Sequence, residues 1–584
     1  MQVIALLPAR GLFVLIGGRR DPMSFHLHGL LLAGIALGLL LACSPVAAQS
    51  TSTLAAAAVA SPDRYGALAA QSVLRQGGNA VDAAVATAFT LAVSYPEAGN
   101  IGGGGFMTLF VNGHAYFLDY RETAPAAASA NMYLDNEGRP TQNSLYGNLA
   151  VGIPGTVRGL AEAHQRFGKL TWQQDLAPAI ALARAGFIVP ETLVKERDEA
   201  LSDFARSGNF AAWANNLHTG QLFRQPVLAE TLERIAKGGA DGFYSGVTAD
   251  RIVAQMSRGP IKGLITREDL AGYKAVWREP LQGEWHGFRV ITAPPPSSGG
   301  IALLQMLQMK ADAAKLFAGV TLNSPQYVHL MAEIEKRVFA DRAAYVGDPD
   351  SVKVPVAQLL SPQYLARRAA EIDPMRPSAT GNVRAGLEKP QTTHFSIIDR
   401  DGNAVSNTYT LNGDFGAGVV VEGAGFLLND EMDDFSAQPG APNQFGVVGG
   451  EANAIAPGRR PLSSMVPTLL LKGGAPAMVI GTPGGSRIFT SVFQVLVNVY
   501  DFHLPLAAAV AAPRYHHQLL PADTIFTEPY APAPPTLAQA LEHLGYRLQP
   551  QDFNGDIAAI EIEKASPQVA PDPRARGVGL IVKP

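Results

Sequence analysis

Cysteine is almost absent from this chain: one residue, Cys43, in 584. It ends an apolar run near the N-terminus, so disulfides cannot hold the bulk of the protein together. Basic blocks are missing as well. A formal net charge of −4 with 16% charged residues offers no cationic stripe for nucleic acid. The apolar run at residues 29–42 is too short to span a bilayer. No internal period of about 20 to 50 residues marks a repeat array. No Ser lies in a G-x-S-x-G elbow, which argues against an α/β-hydrolase. A phosphate-cradling Gly-Lys-Ser/Thr loop and a dinucleotide fingerprint are both lacking. The pair His516-His517 has no further ligands at metal-site spacing. What is present is ordinary globular material, 47% hydrophobic, and long enough for one very large domain or two interlocked ones.

Residues 1–48 read as a secretory leader. Arg19 and Arg20 precede the apolar run, and Val46-Ala47-Ala48 offers small residues for cleavage. Starting at Met23 gives a leader of ordinary length. Leu40-Leu41-Ala42-Cys43 is a second reading, a lipoprotein box that would anchor the chain through Cys43, with Leu41 atypical at its position. Cleavage after Ala48 leaves no cysteine at all. Either way the protein is expected to be exported, to the periplasm.

In the mature chain, Ser61-Pro62 predicts a helix start running to about Gln76, and Gly77-Gly78 ends it. Asn79 with Asp82 three residues on predicts a capping box and a second helix to about Ser94. Four consecutive glycines, 102–105, lead into a strand at 106–110, an Asn112-Gly113 turn and a return strand at 115–120. Residues 155–375 read as mainly helical. From Thr392 onward strands dominate: 395–399 and 404–411 around Asp401-Gly402, then 468–472, 477–480, 557–562 and 577–582, with a helix near 488–499. This order suggests an α+β fold with sheets packed between helices.

Thr392 stands where a charged, Gly- and Pro-punctuated connector, 377–390, meets a strand. Cutting the chain there would give a threonine with a free α-amine, and such an amine can activate the hydroxyl beside it. A Thr opening a strand is equally ordinary β material. Gly484-Gly485-Ser486 lies between a strand and a helix, where backbone amides can face an anion; a plain turn needs the same glycines. Arg121, at the end of a strand, could clamp a carboxylate. Glu431, Asp433 and Asp434 could meet an ammonium, and Ser463-Ser464 could donate to a carboxylate. His394 is two residues from Thr392 and could share its face, although a packed strand histidine satisfies the same spacing.

Taken together the motifs are specific. From about Ala58 onward the chain resembles the γ-glutamyltransferases (γ-glutamyl transpeptidases). The resemblance rests on Gly77-Gly78-Asn79-Ala80-Val81-Asp82-Ala83-Ala84, residues 102–106, Tyr120-Arg121-Glu122, and Pro154-Gly155-Thr156. It continues through Gln391-Thr392-Thr393-His394, residues 429–435, Pro461-Leu462-Ser463-Ser464-Met465, and Thr482-Pro483-Gly484-Gly485-Ser486. It implies an N-terminal-nucleophile hydrolase with a four-layer αββα sandwich, made as a precursor that cuts itself between Gln391 and Thr392. The expected pieces are a large subunit, 49–391, and a small one, 392–584. By the same likeness Thr392 is the nucleophile, Thr410 hydrogen-bonds it, and Gly484 and Gly485 supply oxyanion amides. Arg121, Ser463 and Ser464 would hold the α-carboxylate of a γ-glutamyl group, and Asn412, Glu431 and Asp434 its α-amine. The expected substrates are glutathione and other γ-glutamyl compounds, with water, amino acids or short peptides as acceptors. No metal or organic cofactor is implied.

One departure concerns the lid over the site. Phe445 stands where bacterial relatives often carry Tyr, which removes a hydroxyl that could bond Asn412 and implies a lid that opens more readily. Two other readings stay open at this level: a glutaryl- or cephalosporin-type acylase, and an exported binding protein that never matures.

Overall fold

The computed structural model describes residues 53–205, 209–379, 392–437, 450–551 and 555–584. The leader with Cys43, the connector from 380 through Gln391, and the segment 438–449 containing Phe445 lie outside the described residues. Among the described residues, no helix is long and apolar enough to cross a membrane.

Two antiparallel sheets face one another. The strands of the first are β1 (Ala57–Ser61), β2 (Gly104–Val111), β3 (His114–Tyr120), β4 (Val276–Arg278), β7 (Thr393–Ile398), β8 (Ala404–Thr410) and β13 (Val578–Val582). Their order across the sheet is β13-β1-β7-β8-β2-β3-β4. The second sheet contains β5 (Leu281–Trp285), β6 (Phe288–Thr292), β9 (Thr468–Lys472), β10 (Ala475–Gly481), β11 (Ala558–Glu563) and β12 (Ser566–Pro571), in the order β12-β11-β10-β9-β6-β5. Helices α1 (Arg64–Arg75) and α2 (Ala80–Ser94) cover the first sheet, while α3 (Gly299–Asp312) and α5 (Arg487–Tyr500) cover the second, with α4 (Pro325–Tyr345) packed on α3. The result is the expected αββα sandwich.

The local reasons are visible in the chain. Asn79 Oδ1 accepts from Val81 N at 2.8 Å and Asp82 N at 3.0 Å, while Asp82 Oδ2 accepts from Asn79 N at 2.8 Å, completing the capping box of α2. Every residue of α2 is buried, as its all-round apolar sequence requires. The β7–β8 turn adds a cap from far away: Asp399 Oδ2 accepts from Ala80 N at 3.0 Å. Two expectations need correction. Helix α1 begins at Arg64 with Asp63 as its cap, because Ser61 is instead the last residue of β1. This Ala-rich strand carries no periodic signal and is fixed by pairing with β13 and β7 on its two sides. The stretch 155–375 also contributes β4, β5 and β6, short strands interrupted by Pro280 and Gly287 and therefore weak in alternation.

Between the sheets the packing changes character along the strands. At one end it is apolar, with Ala58, Ala60, Phe110, Ile398, Leu469, Val479 and Ile560. Toward Thr392 it becomes a ladder of paired polar residues, His394 opposite Thr408 and Ser396 opposite Ser406. These side chains tie one sheet to the other: Ser396 Oγ donates to Ala558 O at 2.9 Å and Ser406 Oγ to Ile480 O at 3.0 Å. Since Ser396 spends its proton on Ala558, His394 Nε2 must donate to it, at 3.1 Å, leaving Nδ1 to accept from Thr408 at 2.8 Å. His394 is thus the packed strand histidine, sealed under Gly481, and burial lowers its pKa to about 3.

The sign of the resulting linkage is defined. The unfolded chain protonates His394 near pH 6.5, whereas the folded one does so only near 3. Stability is therefore lost as pH falls from 6.5 toward 3, at about 1.4 kcal/mol per pH unit for this residue. Urea midpoints at pH 7 and pH 5 should differ accordingly, and His394→Asn should show a smaller difference than wild type.

Candidate active site

Thr392 sits just before β7, near the middle of the first sheet, with 9% of its surface exposed. Continuing the register places it opposite Thr410, two residues beyond the His394–Thr408 pair, and its Oγ1 donates to Thr410 Oγ1 at 3.5 Å, the long limit of such a bond. Thr410 Oγ1 also accepts from Asn412 N at 2.8 Å. Asn412 has φ +83°, a left-handed turn that Asn tolerates, and its Nδ2 donates to Asp430 O at 3.1 Å. A chain of contacts thus runs from Thr392 through Thr410 and Asn412 to the residue preceding Glu431.

The glycine run 102–105 makes room for this corner. A Cβ on Gly103 would fall 2.0 Å from Thr410 O. The closeness lets one buried amide serve both sides: Asn100 Nδ2 donates to Thr410 O at 2.9 Å, and its Oδ1 accepts from Gly103 N at 2.9 Å and Thr156 Oγ1 at 2.7 Å. Reading the sequence did not select Asn100; it stands two residues before the glycines with no motif of its own.

Arg121 leaves the end of β3 and is 1% exposed. Its Nη1 pairs with Glu431 and its Nη2 with Asp434; Nη2 also donates to Leu462 O at 2.9 Å and Nε to Pro461 O at 3.3 Å. Glu122 lies 3.8 Å away. The expected carboxylate clamp and the expected ammonium binders are therefore in contact with each other. Three acids surround one guanidinium in a buried site, and they cannot all ionise freely. Burial raises Glu431 well above the carboxylate range, against the pull of Arg121; burial likewise brings Glu122 up to about 8 and raises Asp434. For Arg121 burial acts to depress the guanidinium, but Glu431 and Asp434 outweigh it and hold it above its usual value.

Ser463 and Ser464 follow directly. Ser463 Oγ accepts from Met465 N at 3.1 Å, and Ser464 Oγ accepts from Arg342 Nη2 at 3.1 Å. Arg342, near the end of α4, was not legible beforehand because nothing in a helical pattern marks which residue reaches a distant loop. Gly484 and Gly485 form the turn between β10 and α5, with φ +137° and +55°, values that favour glycine. Gly481, three residues before this turn, packs on the ring of His394, two residues along β7 from Thr392: a Cβ there would lie 2.3 Å from that ring. Asp433, the third member of the acidic run, is held elsewhere, accepting from Ser144 Oγ at 2.6 Å.

Another group of potential ligands, Asp82, His164 and Asp175, comes within 4.8 Å. Asp82 accepts from the backbone N–H groups of Asn79, Lys169 and Leu170, and His164 Nε2 lies 3.0 Å from Leu170 O. Burial, then the nearby Asp82, push Asp175 up to about 9, and with Asp82 spent on backbone amides the cluster belongs to the α2 cap.

Asn100→Ala should be costly, because it strands buried partners on four residues, Ala98, Gly103, Thr156 and Thr410. Each orphaned group costs about 1–3 kcal/mol. The urea midpoint should fall clearly, whereas Asn100→Asp, which keeps the acceptor, should lose less.

With this geometry in place, comparison with known proteins is informative. A family model described as gamma-glutamyltranspeptidase matches residues 66–582. The glutathione hydrolase proenzyme of Pseudomonas aeruginosa is 61% identical over 545 residues, covering 92% of this chain and 98% of that protein. Among solved structures, gamma-glutamyltranspeptidase from Pseudomonas nitroreducens complexed with L-DON is 57% identical, with a TM-score of 0.54, covering 55% of this chain and 96% of that one. Cephalosporin acylase from Bacillus halodurans superposes with a TM-score of 0.77 at 27% identity, over 90% of this chain and 96% of that one. On both the match to the family model and the identity to its members, the chain belongs to the γ-glutamyltranspeptidase family.

Proposed function

We propose that this protein is an autoprocessing γ-glutamyltransferase/glutathione hydrolase, exported to the periplasm after loss of residues 1–48 and cut into a large subunit, 49–391, and a small subunit, 392–584. In maturation the Thr392 hydroxyl attacks the Gln391 carbonyl, the acyl group shifts from nitrogen to oxygen, and water hydrolyses the ester. This frees the Thr392 α-amine, which then takes the hydroxyl proton as Thr392 attacks a γ-glutamyl amide. Amides of Gly484 and Gly485 stabilise the tetrahedral oxyanion. The leaving amine departs with the proton, a γ-glutamyl ester remains on Thr392, and water, an amino acid or a short peptide accepts the acyl group. Thr410 orients the nucleophile. No step calls for a cofactor.

The observation that carries this reading is the buried contact of Arg121 with Glu431 and Asp434 beside Ser463-Ser464. A zwitterionic amino-acid head can enter such a pair by exchange. Its carboxylate takes Arg121 together with Ser463 and Ser464, and its ammonium takes Asp434 and Glu431 together with Asn412. A glutaryl group would occupy Arg121 but bring no ammonium to replace the guanidinium that Glu431 and Asp434 lose. That argues for a γ-glutamyl donor over the glutaryl or cephalosporin donors of an acylase.

Denaturing gels with N-terminal sequencing should show two chains, one beginning at Thr392. Thr392→Ala should give a single uncut chain and background release from γ-glutamyl-p-nitroanilide. Asp434→Asn, losing a charge-assisted contact of about 1.5–3 kcal/mol, should raise KM roughly ten- to hundredfold for that substrate. An uncut wild-type protein, or faster turnover of glutaryl amides than of γ-glutamyl ones, would overturn the proposal.

A further inference from the structure

The histidine pair at 516 and 517 has no place in the reaction described above, yet one member lies directly behind the Gly484-Gly485 turn. Ser486, the residue after the glycines, is fully buried, and its Oγ donates to Gln518 Oε1 at 2.9 Å. The same oxygen is 3.0 Å from His516 Nε2, and Ser486 Oγ itself is 3.5 Å from that nitrogen. Because Gln518 Oε1 can only accept, His516 Nε2 carries the proton and donates. His516 Nδ1 lies 2.9 Å from Thr490 Oγ1 in the first turn of α5, a hydroxyl that also reaches Arg487 O at 3.0 Å. The imidazole therefore ties the residue that ends the turn to the helix that follows it. Its ring is held by Phe339, edge-on at 5.6 Å, and Phe526, at 5.9 Å. The segment carrying it is fixed in turn, since Gln494 on α5 bonds Tyr515 through both its amide atoms, at 2.8 and 3.0 Å, and His516 N and O pair with Phe526. Burial, and secondarily Arg487, keep His516 well below its usual pKa, so the ring stays neutral and in one tautomer through the working pH range.

We propose that His516, acting with Gln518 through Ser486, is a positioning residue that sets the direction of the Gly484 and Gly485 amides toward the oxyanion. Gly484 and Gly485 adopt backbone angles with no side chain to hold them, so their amides need an external brace to stay preorganised. Backbone bonds hold their carbonyls, Gly484 O accepting from Arg487 N at 3.0 Å and Gly485 O from Ile488 N at 3.2 Å, and the Ser486 hydroxyl adds a side-chain brace at the end of the turn. Such a brace matters most when charge has developed on the oxygen, and little when the planar substrate or product is bound. The inference rests on the oxyanion role given to these glycines above.

The test uses processed enzyme and two ligands: a boronic acid bearing the γ-glutamyl side chain, which forms a tetrahedral adduct with Thr392, and glutamate, which does not. Wild-type turnover of γ-glutamyl-p-nitroanilide is established first, and its absence would sink the functional reading rather than this one. Ser486→Ala and His516→Ala should each lower kcat at least tenfold with KM within about twofold. Boronate affinity should weaken in proportion while glutamate affinity holds. His516→Gln, which can restore the donor at the Nε2 position, should recover part of kcat. Should His516→Ala fail to mature, Ser486→Ala and His516→Gln still give the two affinities. Equal loss of boronate and glutamate binding, or unchanged kcat in Ser486→Ala, would overturn the proposal.

Discussion

The pairing of β7 with β8 is the constraint on which the site depends. Both strands lie inside the first sheet, each flanked by another strand, and both press their polar faces against the second sheet. Thr392 is therefore placed by register: with His394 opposite Thr408 and Ser396 opposite Ser406, Thr410 falls opposite Thr392 without further adjustment. A one-residue slip would turn every hydroxyl of the ladder toward the helices and send Phe395 and Ile397 into it. The hydroxyls bonded to Ala558 and Ile480 across the gap make that slip expensive, and the same bonds locate the glycine turn that follows β10.

Electrostatics then divides the site into two unlike halves. Around Thr392 the partners are hydroxyls, amides and backbone groups, with His394 kept neutral by burial. Around Arg121 sits a surplus of acid, Glu122, Glu431 and Asp434 sharing one guanidinium, with protons retained to limit the repulsion. In the proposed reaction the Thr392 half would meet a developing oxyanion with neutral donors, whereas the Arg121 half would gain negative charge as an entering ammonium draws the acids toward ionisation. Keeping these apart on different loops allows both.

How much of this the sequence disclosed depends on the range of the interaction. The α2 cap was readable because Asn79 and Asp82 are three residues apart, and the hairpins at Asn112-Gly113 and Asp401-Gly402 because turn chemistry is local. The candidate residues emerged from motifs carried by a family likeness, since Arg121 and Asp434 are more than 300 positions apart and nothing in spacing joins them. What escaped was long-range: β1, whose alanines become a strand only between two partners; Asn100, defined by a carbonyl on a distant strand; Arg342, reaching Ser464 from a helix; and the fact that Arg121 is already engaged by the acids expected to serve beside it.

The order β13-β1-β7 has a consequence for the processed molecule. If the chain is cut before Thr392, β1 belongs to one product while the strands on both sides of it, β13 and β7, belong to the other. The products are then woven rather than docked. Dilution alone cannot part them, because separation requires withdrawing a central strand and breaking hydrogen bonds along both of its edges. Exchange of subunits between molecules should therefore be as slow as global unfolding, and each processed molecule keeps the partner it was synthesised with.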